Sequence, residues 1–118
     1  MRNYASTAPA TDEQVDRLRR IGKALADPTR LRILAALDGR ELCVCHLVDV
    51  LDRSASTVSR HVTVLRDARL VAVRKEGRWL HCRRANPDET IWKAIDELMD
   101  GSEALTVEPV DTSAPCCG

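Results

Sequence analysis

Nowhere in this chain do about 18 apolar residues follow one another, the length a membrane-spanning helix needs. The first residues show no charged-then-apolar leader, so a soluble cytoplasmic protein with no membrane partner is expected. Also missing are a Cys-x-x-Cys pair and the four-cysteine spacing of a zinc ribbon, which argues against thioredoxin-like chemistry and a structural zinc site. No Gly-rich loop is present to cradle a phosphate, and no nucleophile, base and orienting group can be assembled, so the chain does not read as an enzyme and no permanent cofactor is expected. Net charge is lacking too: Lys plus Arg and Asp plus Glu balance at 18 each.

The distribution of that charge is more informative than its total. From Arg53 to Arg84 nine basic residues face two acidic ones, +7, and the rest of the chain carries nine against sixteen, −7. A neutral whole therefore contains a basic half, as expected of a protein with one face against phosphate. The five cysteines, Cys43, Cys45, Cys82, Cys116 and Cys117, are odd in number and unevenly placed. A disulfide framework would show an even, dispersed set, so reduced thiols are expected.

At 118 residues the chain fits one domain whose modest core a dimer would enlarge. Residues 1–10, rich in Ala, Thr, Ser and Pro, read as a disordered lead-in, 11–100 as the folded domain, and 101–118 as a flexible tail ending in a Cys-Cys pair. Thr11 or Asp12 caps a first helix with Val15, Leu18, Ile21, Ala24 and Leu25 on one face. Asp27-Pro28 opens a second helix that places Leu31, Ile33, Leu34 and Leu37 inward and stops at Asp38-Gly39. A short helix from about Cys43 to Leu51 follows, then a break at Asp52-Arg53 and a helix capped by Ser54 that runs to about Asp67, burying Val58, Val62 and Leu65.

Two helices joined by so tight a turn form a helix-turn-helix. The second exposes Ser56, Thr57, Ser59, Arg60, His61, Thr63 and Arg66, small hydroxyls and cations suited to the major groove. Leu70 to Arg74 and Trp79 to Arg84, around Lys75-Glu76-Gly77-Arg78, make a β-hairpin wing whose tip presents Arg74, Lys75 and Arg78 to DNA. Asn86-Pro87-Asp88 caps a last helix to Met99 bearing Ile91, Trp92, Ile95 and Leu98. The expected fold is thus α+β, mostly α: a winged helix-turn-helix with a two-stranded wing, forming a homodimer through its first and last helices. The DNA-binding set is Ser56, Thr57, Ser59, Arg60, His61, Arg74, Lys75 and Arg78.

Just ahead of the helix-turn-helix stands Glu41-Leu42-Cys43-Val44-Cys45-His46. Side chains at i and i+2 on a helix point about 200° apart, so one ion held by Cys43 and Cys45 would distort the helix start. Three stretches together resemble the ArsR/SmtB family of metal-sensing transcriptional repressors: Leu25-Ala26-Asp27-Pro28-Thr29-Arg30-Leu31-Arg32-Ile33-Leu34, Glu41-Leu42-Cys43-Val44-Cys45, and Ser56-Thr57-Val58-Ser59-Arg60-His61. The resemblance covers roughly residues 15 to 99. It implies a winged homodimer that binds an inverted repeat in double-stranded DNA and leaves it when the Cys-Val-Cys pair captures a soft ion, in the arsenic branch As(III) or Sb(III).

Trivalent arsenic favours three sulfurs. Cys43 and Cys45 supply two, and Cys116 and Cys117 of the tail are preferred for the third over Cys82, which reads as a small buried hydrophobe. The arsenic-type box continues with Asp where this chain has His46, which is read as a surface residue near phosphate, with nitrogen ligation of a divalent ion as the alternative. A site like that of the zinc-sensing branch, built from Asp and His on the last helix, is not expected, because no histidine follows His81. Cadmium, lead or zinc sensing, and a thiol redox switch, stand as the rival readings.

Overall fold

The computed structural model describes residues 9–85 and 89–99. Most of the lead-in, the whole tail with Cys116 and Cys117, and the expected cap at Asn86-Pro87-Asp88 lie outside them. The elements run α1 (Asp12–Leu25), α2 (Pro28–Ala36), β1 (Leu42–Cys43), α3 (Val44–Leu51), α4 (Ala55–Asp67), β2 (Val71–Glu76), β3 (Trp79–Arg84) and α5 (Glu89–Met99).

Local chemistry sets the boundaries. The Thr11 hydroxyl accepts from the Gln14 amide at 3.1 Å while the Gln14 side chain accepts from the Thr11 amide at 2.9 Å, a reciprocal cap that starts α1. Asp27 caps α2 through the Thr29 and Arg30 amides, with Pro28 in the first turn where its missing N–H costs nothing. Between α3 and α4 the chain turns through Asp52 in the left-handed region (φ 53), which Asp tolerates better than most residues, and Ser54 then caps α4. The hairpin turns at Gly77 (φ 59), so β2 and β3 extend to Glu76 and Trp79 and the loop is two residues, shorter than the sequence suggests.

Two arginines donate to carbonyls at helix C-termini. Arg30 Nε donates to Ala24 O at 2.7 Å at the end of α1, and Arg84 Nε donates to Leu34 O at 3.0 Å at the end of α2.

The β2-β3 hairpin is the expected two-stranded wing, and β1 adds a strand at the β3 edge to make a three-stranded sheet ordered β1-β3-β2. β1 pairs antiparallel with β3, Leu42 opposite Cys82 and Cys43 opposite His81. Leu42, Cys82 and Val71 close the sheet side of a core filled by Ile33, Leu34 and Leu37 of α2 with its C-cap, Leu47 of α3, and Val58, Val62 and Leu65 of α4. That packing fixes α3 against α4. The apolar stripe of α1 divides: Ile21 and Ala24 are buried, whereas Val15 and Leu18 are 55% and 68% exposed, and Leu98 of α5 is 83% exposed. No helix among the described residues is long and apolar enough to cross a membrane.

Candidate ion site and nucleic-acid interface

The junction of β1 and α3 decides what the cysteine pair can do. Cys43 is extended (φ −80, ψ 161) and is the N-cap of α3; Cys45 is the second helical residue. The expectation that both sit on one helix is therefore corrected: β3 draws residues 42 and 43 into the sheet, and the helix starts only at Val44. The 200° argument does not apply to a pair that straddles a strand and a helix. Cys43 is buried and Cys45 half-buried.

Both sulfurs are disulfide-bonded in this structure, against the expectation of reduced thiols, while Cys82 is a free thiol. Sulfurs placed to reach another sulfur are also placed to share a soft ion with one. Cys82 is fully buried, and burial, reinforced by the Glu41 carboxylate, pushes its thiol up to about 11. A thiol so hard to ionise is a poor ligand, which agrees with its reading as a hydrophobe. Among the described residues no three His, Cys, Asp or Glu side chains gather as a ready metal site.

His46 departs from the reading as a surface residue near phosphate. It is half-buried, its Nδ1 stands 3.5 Å from Cys43 Sγ, and its Nε2 is buried with no hydrogen-bond partner among the described residues. Its place in the first turn of a helix packed beside β1 turns it inward.

Across the sheet from Cys43 lies a charged cluster. Directly opposed residues share a face, so Cys43, His81 and Arg74 form one row over β1, β3 and β2. Arg74 donates to Glu41 Oε1 at 2.7 Å and to Glu76 Oε2 at 2.8 Å, and His81 stands 3.9 Å from Glu41 and 3.6 Å from Glu76. The guanidinium holds both carboxyls below their usual range, in Glu41 against burial, and is itself held more firmly protonated by them. Arg74, expected at the wing tip, is thus engaged by carboxylates beside the cysteine strand. Lys75 and Arg78 are exposed, Arg78 over the Trp79 ring at 5.4 Å from its centroid.

On α4, Ser56, Ser59 and Arg60 are exposed on one side of the helix, whereas Thr57 and His61 are half-buried. Thr57 accepts from the Ser54 hydroxyl at 2.8 Å. His61 Nδ1 is 3.1 Å from Arg30 Nη1, and because a guanidinium only donates, the ring is neutral on that side and carries its proton on Nε2. Burial lowers the His61 pKa, with Arg30 and Arg60 adding and Asp27 opposing. Arg30, which is not among the expected DNA-binding residues, thereby ties the end of α1 to α4.

This arrangement, a basic helix after a tight turn beside a β wing, can be set against known proteins. Residues 27–73 match the family described as "Bacterial regulatory protein, arsR family". Over 103 residues the chain is 43% identical to the HTH-type transcriptional regulator CmtR of Mycobacterium tuberculosis, covering 84% of this chain and 78% of that one. The chain belongs to the arsR family. It is a winged-helix transcriptional regulator and not an enzyme. It is also 46% identical over 78 residues to the arsenical resistance operon repressor of Escherichia coli, covering 64% of this chain and 66% of that protein. A homodimeric winged helix-turn-helix DNA-binding domain from Mycobacterium bovis superposes with a TM-score of 0.66 at 28% identity, over 79% of this chain and 87% of that one.

Proposed function

We propose that this arsR-family member is a cytoplasmic homodimeric repressor that binds an inverted-repeat operator and leaves it when cysteine thiolates capture As(III) or Sb(III), derepressing a resistance operon. The observation that carries the reading is the position of Cys43: one residue of β1, paired with β3 of the wing and immediately preceding the helix that packs on α4. An ion gathering Cys43, Cys45 and a thiol of Cys116 or Cys117 pulls on the wing and on the helix-turn-helix together. A coupling of roughly 1–3 kcal/mol, about 5- to 150-fold in affinity, suffices for regulation. Similarity to a repressor named for arsenical resistance supports the choice of ion.

Ser56, Ser59 and Arg60 of α4 read or approach the major groove with Thr57 and His61 at its edge, and Lys75 and Arg78 of the wing meet the backbone, joined by Arg74 when Glu41 lets it go. The uncovered Val15, Leu18 and Leu98 supply the dimer contact, as a homodimeric structural relative suggests.

The test is fluorescence anisotropy on an inverted-repeat operator with arsenite, cadmium and zinc titrated under reducing conditions. Cys43→Ser and Cys45→Ser are expected to bind the operator and ignore arsenite; a full response in both removes the site. The oxidised state of Cys43 and Cys45 favours a second reading, a thiol redox switch. Release driven by peroxide with no ion present selects it.

A further inference from the structure

The end of α4 carries an arginine where its backbone favours glycine. Past the C-cap Ala68, the Arg69 amide donates to Arg66 O and the Leu70 amide to Leu65 O, both at 2.9 Å, and Leu65 and Leu70 are fully buried, the apolar pair that usually accompanies this kind of cap. The cap puts Arg69 in the left-handed region (φ 62), which glycine enters freely and a residue with a Cβ enters at a cost. Its hydrogen bonds are all backbone, so they need nothing from the arginine side chain.

Arg69 lines a hollow of about 180 Å³ between α1 and the end of α4, with Glu13, Arg17 and Arg20 facing it from one side of α1. An adjoining hollow of about 310 Å³ shares Arg20, Asp67 and Ala68 with it and adds Val64 and Lys23. Among the described residues Arg17, Lys23 and Arg69 have no side-chain hydrogen bond or ion pair, whereas Arg20 is paired with Asp16 at 2.9 Å. Unpaired cations on two helices thus gather round one cleft and repel one another, and the carboxylates of Glu13 and Asp67 offset them only in part. Apolar surface beside a few convergent charges is the usual make-up of a small-molecule site.

We propose that the cleft between α1 and the end of α4 binds a small organic anion, its carboxylate, sulfonate or phosphate group held by Arg17 and Arg69 and its apolar body laid over Val64 and Ala68. The strain at Arg69 is then a cost of placing a cation where the anionic group sits, at the one point of α4 that looks across at Arg17. Such a ligand bridges α1 and α4, elements that carry neither Cys43 nor Cys45, and gives the regulator an input separate from ion capture.

The probe is anilinonaphthalene sulfonate, an anion with a broad apolar body, titrated by its fluorescence against the reduced full-length protein, with phenylnaphthylamine as the counterpart that lacks the sulfonate. Wild type is expected to bind the sulfonate more tightly than the neutral compound. Arg69→Gly is expected to weaken sulfonate binding about tenfold, the loss of one charge-assisted contact, and to raise Tm by roughly 2–5 °C without ligand, because the strain goes with the side chain. Arg17→Gln is expected to weaken binding to a similar extent and leave Tm unchanged, and Arg69→Lys, which keeps both charge and strain, to retain most of the affinity. Operator binding by each variant reports that it folds. Equal affinity of wild type for the two compounds, or wild-type sulfonate affinity in both Arg69→Gly and Arg17→Gln, overturns the site. A fall in Tm with Arg69→Gly overturns the role given to Arg69, since the arginine would then serve the fold.

Discussion

Replacing Arg84 by Met is expected to destabilise the domain by about 3 kcal/mol. The side chain is only 12% exposed and connects three elements. Its Nε donates to Leu34 O at 3.0 Å, its two terminal nitrogens donate to the Asp96 carboxylate at 2.9 and 3.1 Å, and its guanidinium lies 4.7 Å from the Trp92 ring centroid. A hydrogen bond involving a charged group contributes roughly 1.5–3 kcal/mol, and a partly desolvated cation–π contact about 1 kcal/mol. Two circumstances reduce the total. Asp96 is 43% exposed and regains water when its partner is lost, and Leu34 O retains a 3.3 Å contact from the Leu37 amide. For a domain of this size about 3 kcal/mol lowers Tm by roughly 10–20 °C. Urea unfolding followed by circular dichroism, at fixed subunit concentration because a dimer's stability depends on it, measures the loss. Arg84→Lys is expected to recover less than half, since an ammonium cannot serve three partners at fixed angles. In a double-mutant cycle Asp96→Asn should cost little once Arg84 is gone. A loss below about 1 kcal/mol, or additivity of the two substitutions, refutes the account of Arg84 as the tie between α2, β3 and α5.

Other outcomes follow from the same geometry. Glu41→Gln frees Arg74 from one of its two carboxylates, so affinity for DNA of any sequence should rise and the log–log salt dependence should steepen by up to about 0.9, read by anisotropy at several salt concentrations. Acidification should weaken the fold through His61. Its folded pKa lies below the ordinary 6.5, so the unfolded chain takes the proton first; the stabilisation is complete above about 6.5 and is lost as pH falls below it. The urea midpoint should therefore drop between pH 7.5 and 5.5, and drop less in His61→Gln; an equal drop in both assigns the effect elsewhere. Leu18→Glu with Leu98→Glu places charge on the uncovered stripes and should shift sedimentation from dimer to monomer, whereas an unchanged dimer locates the contact on another face.

The elements whose signals are local could be read from the sequence. Asp27-Pro28, Ser54 and the 4-and-3 spacing of Val58, Val62 and Leu65 specify caps and faces within a few residues, and α2 and α4 fall within a residue or so of their expected bounds. β1 could not be read. Two apolar residues have no period, and Leu42 and Cys43 are a strand because Cys82 and His81, about 40 positions later, bond to them. Missing it placed Cys43 on the helix, and with it the geometry of the candidate ion site. His46 is enclosed for the same reason, and a histidine on an isolated amphipathic turn gives no sign of the neighbouring strand.

Charge was the other misleading signal, because a count of arginines cannot say which way they point. Of the nine cations in the basic half, Arg84 is spent inside the fold and Arg74 is held between Glu41 and Glu76. Arg30, outside that half, reaches α4 through His61. Internal use of these arginines leaves the surface of α4 and the wing less basic than the arginine count suggests, and it ties one wing cation to the cysteine strand. Arg74 is bonded to Glu41, two residues before Cys43, and His81 pairs with Cys43 on one side and Arg74 on the other. On the proposed function, an ion that moved Cys43 would shift the carboxylate restraining a wing cation as well as the start of the helix that supports α4. Both halves of the proposed DNA contact would then be disturbed by displacing one residue, and a site of a few atoms would release an operator held by two elements.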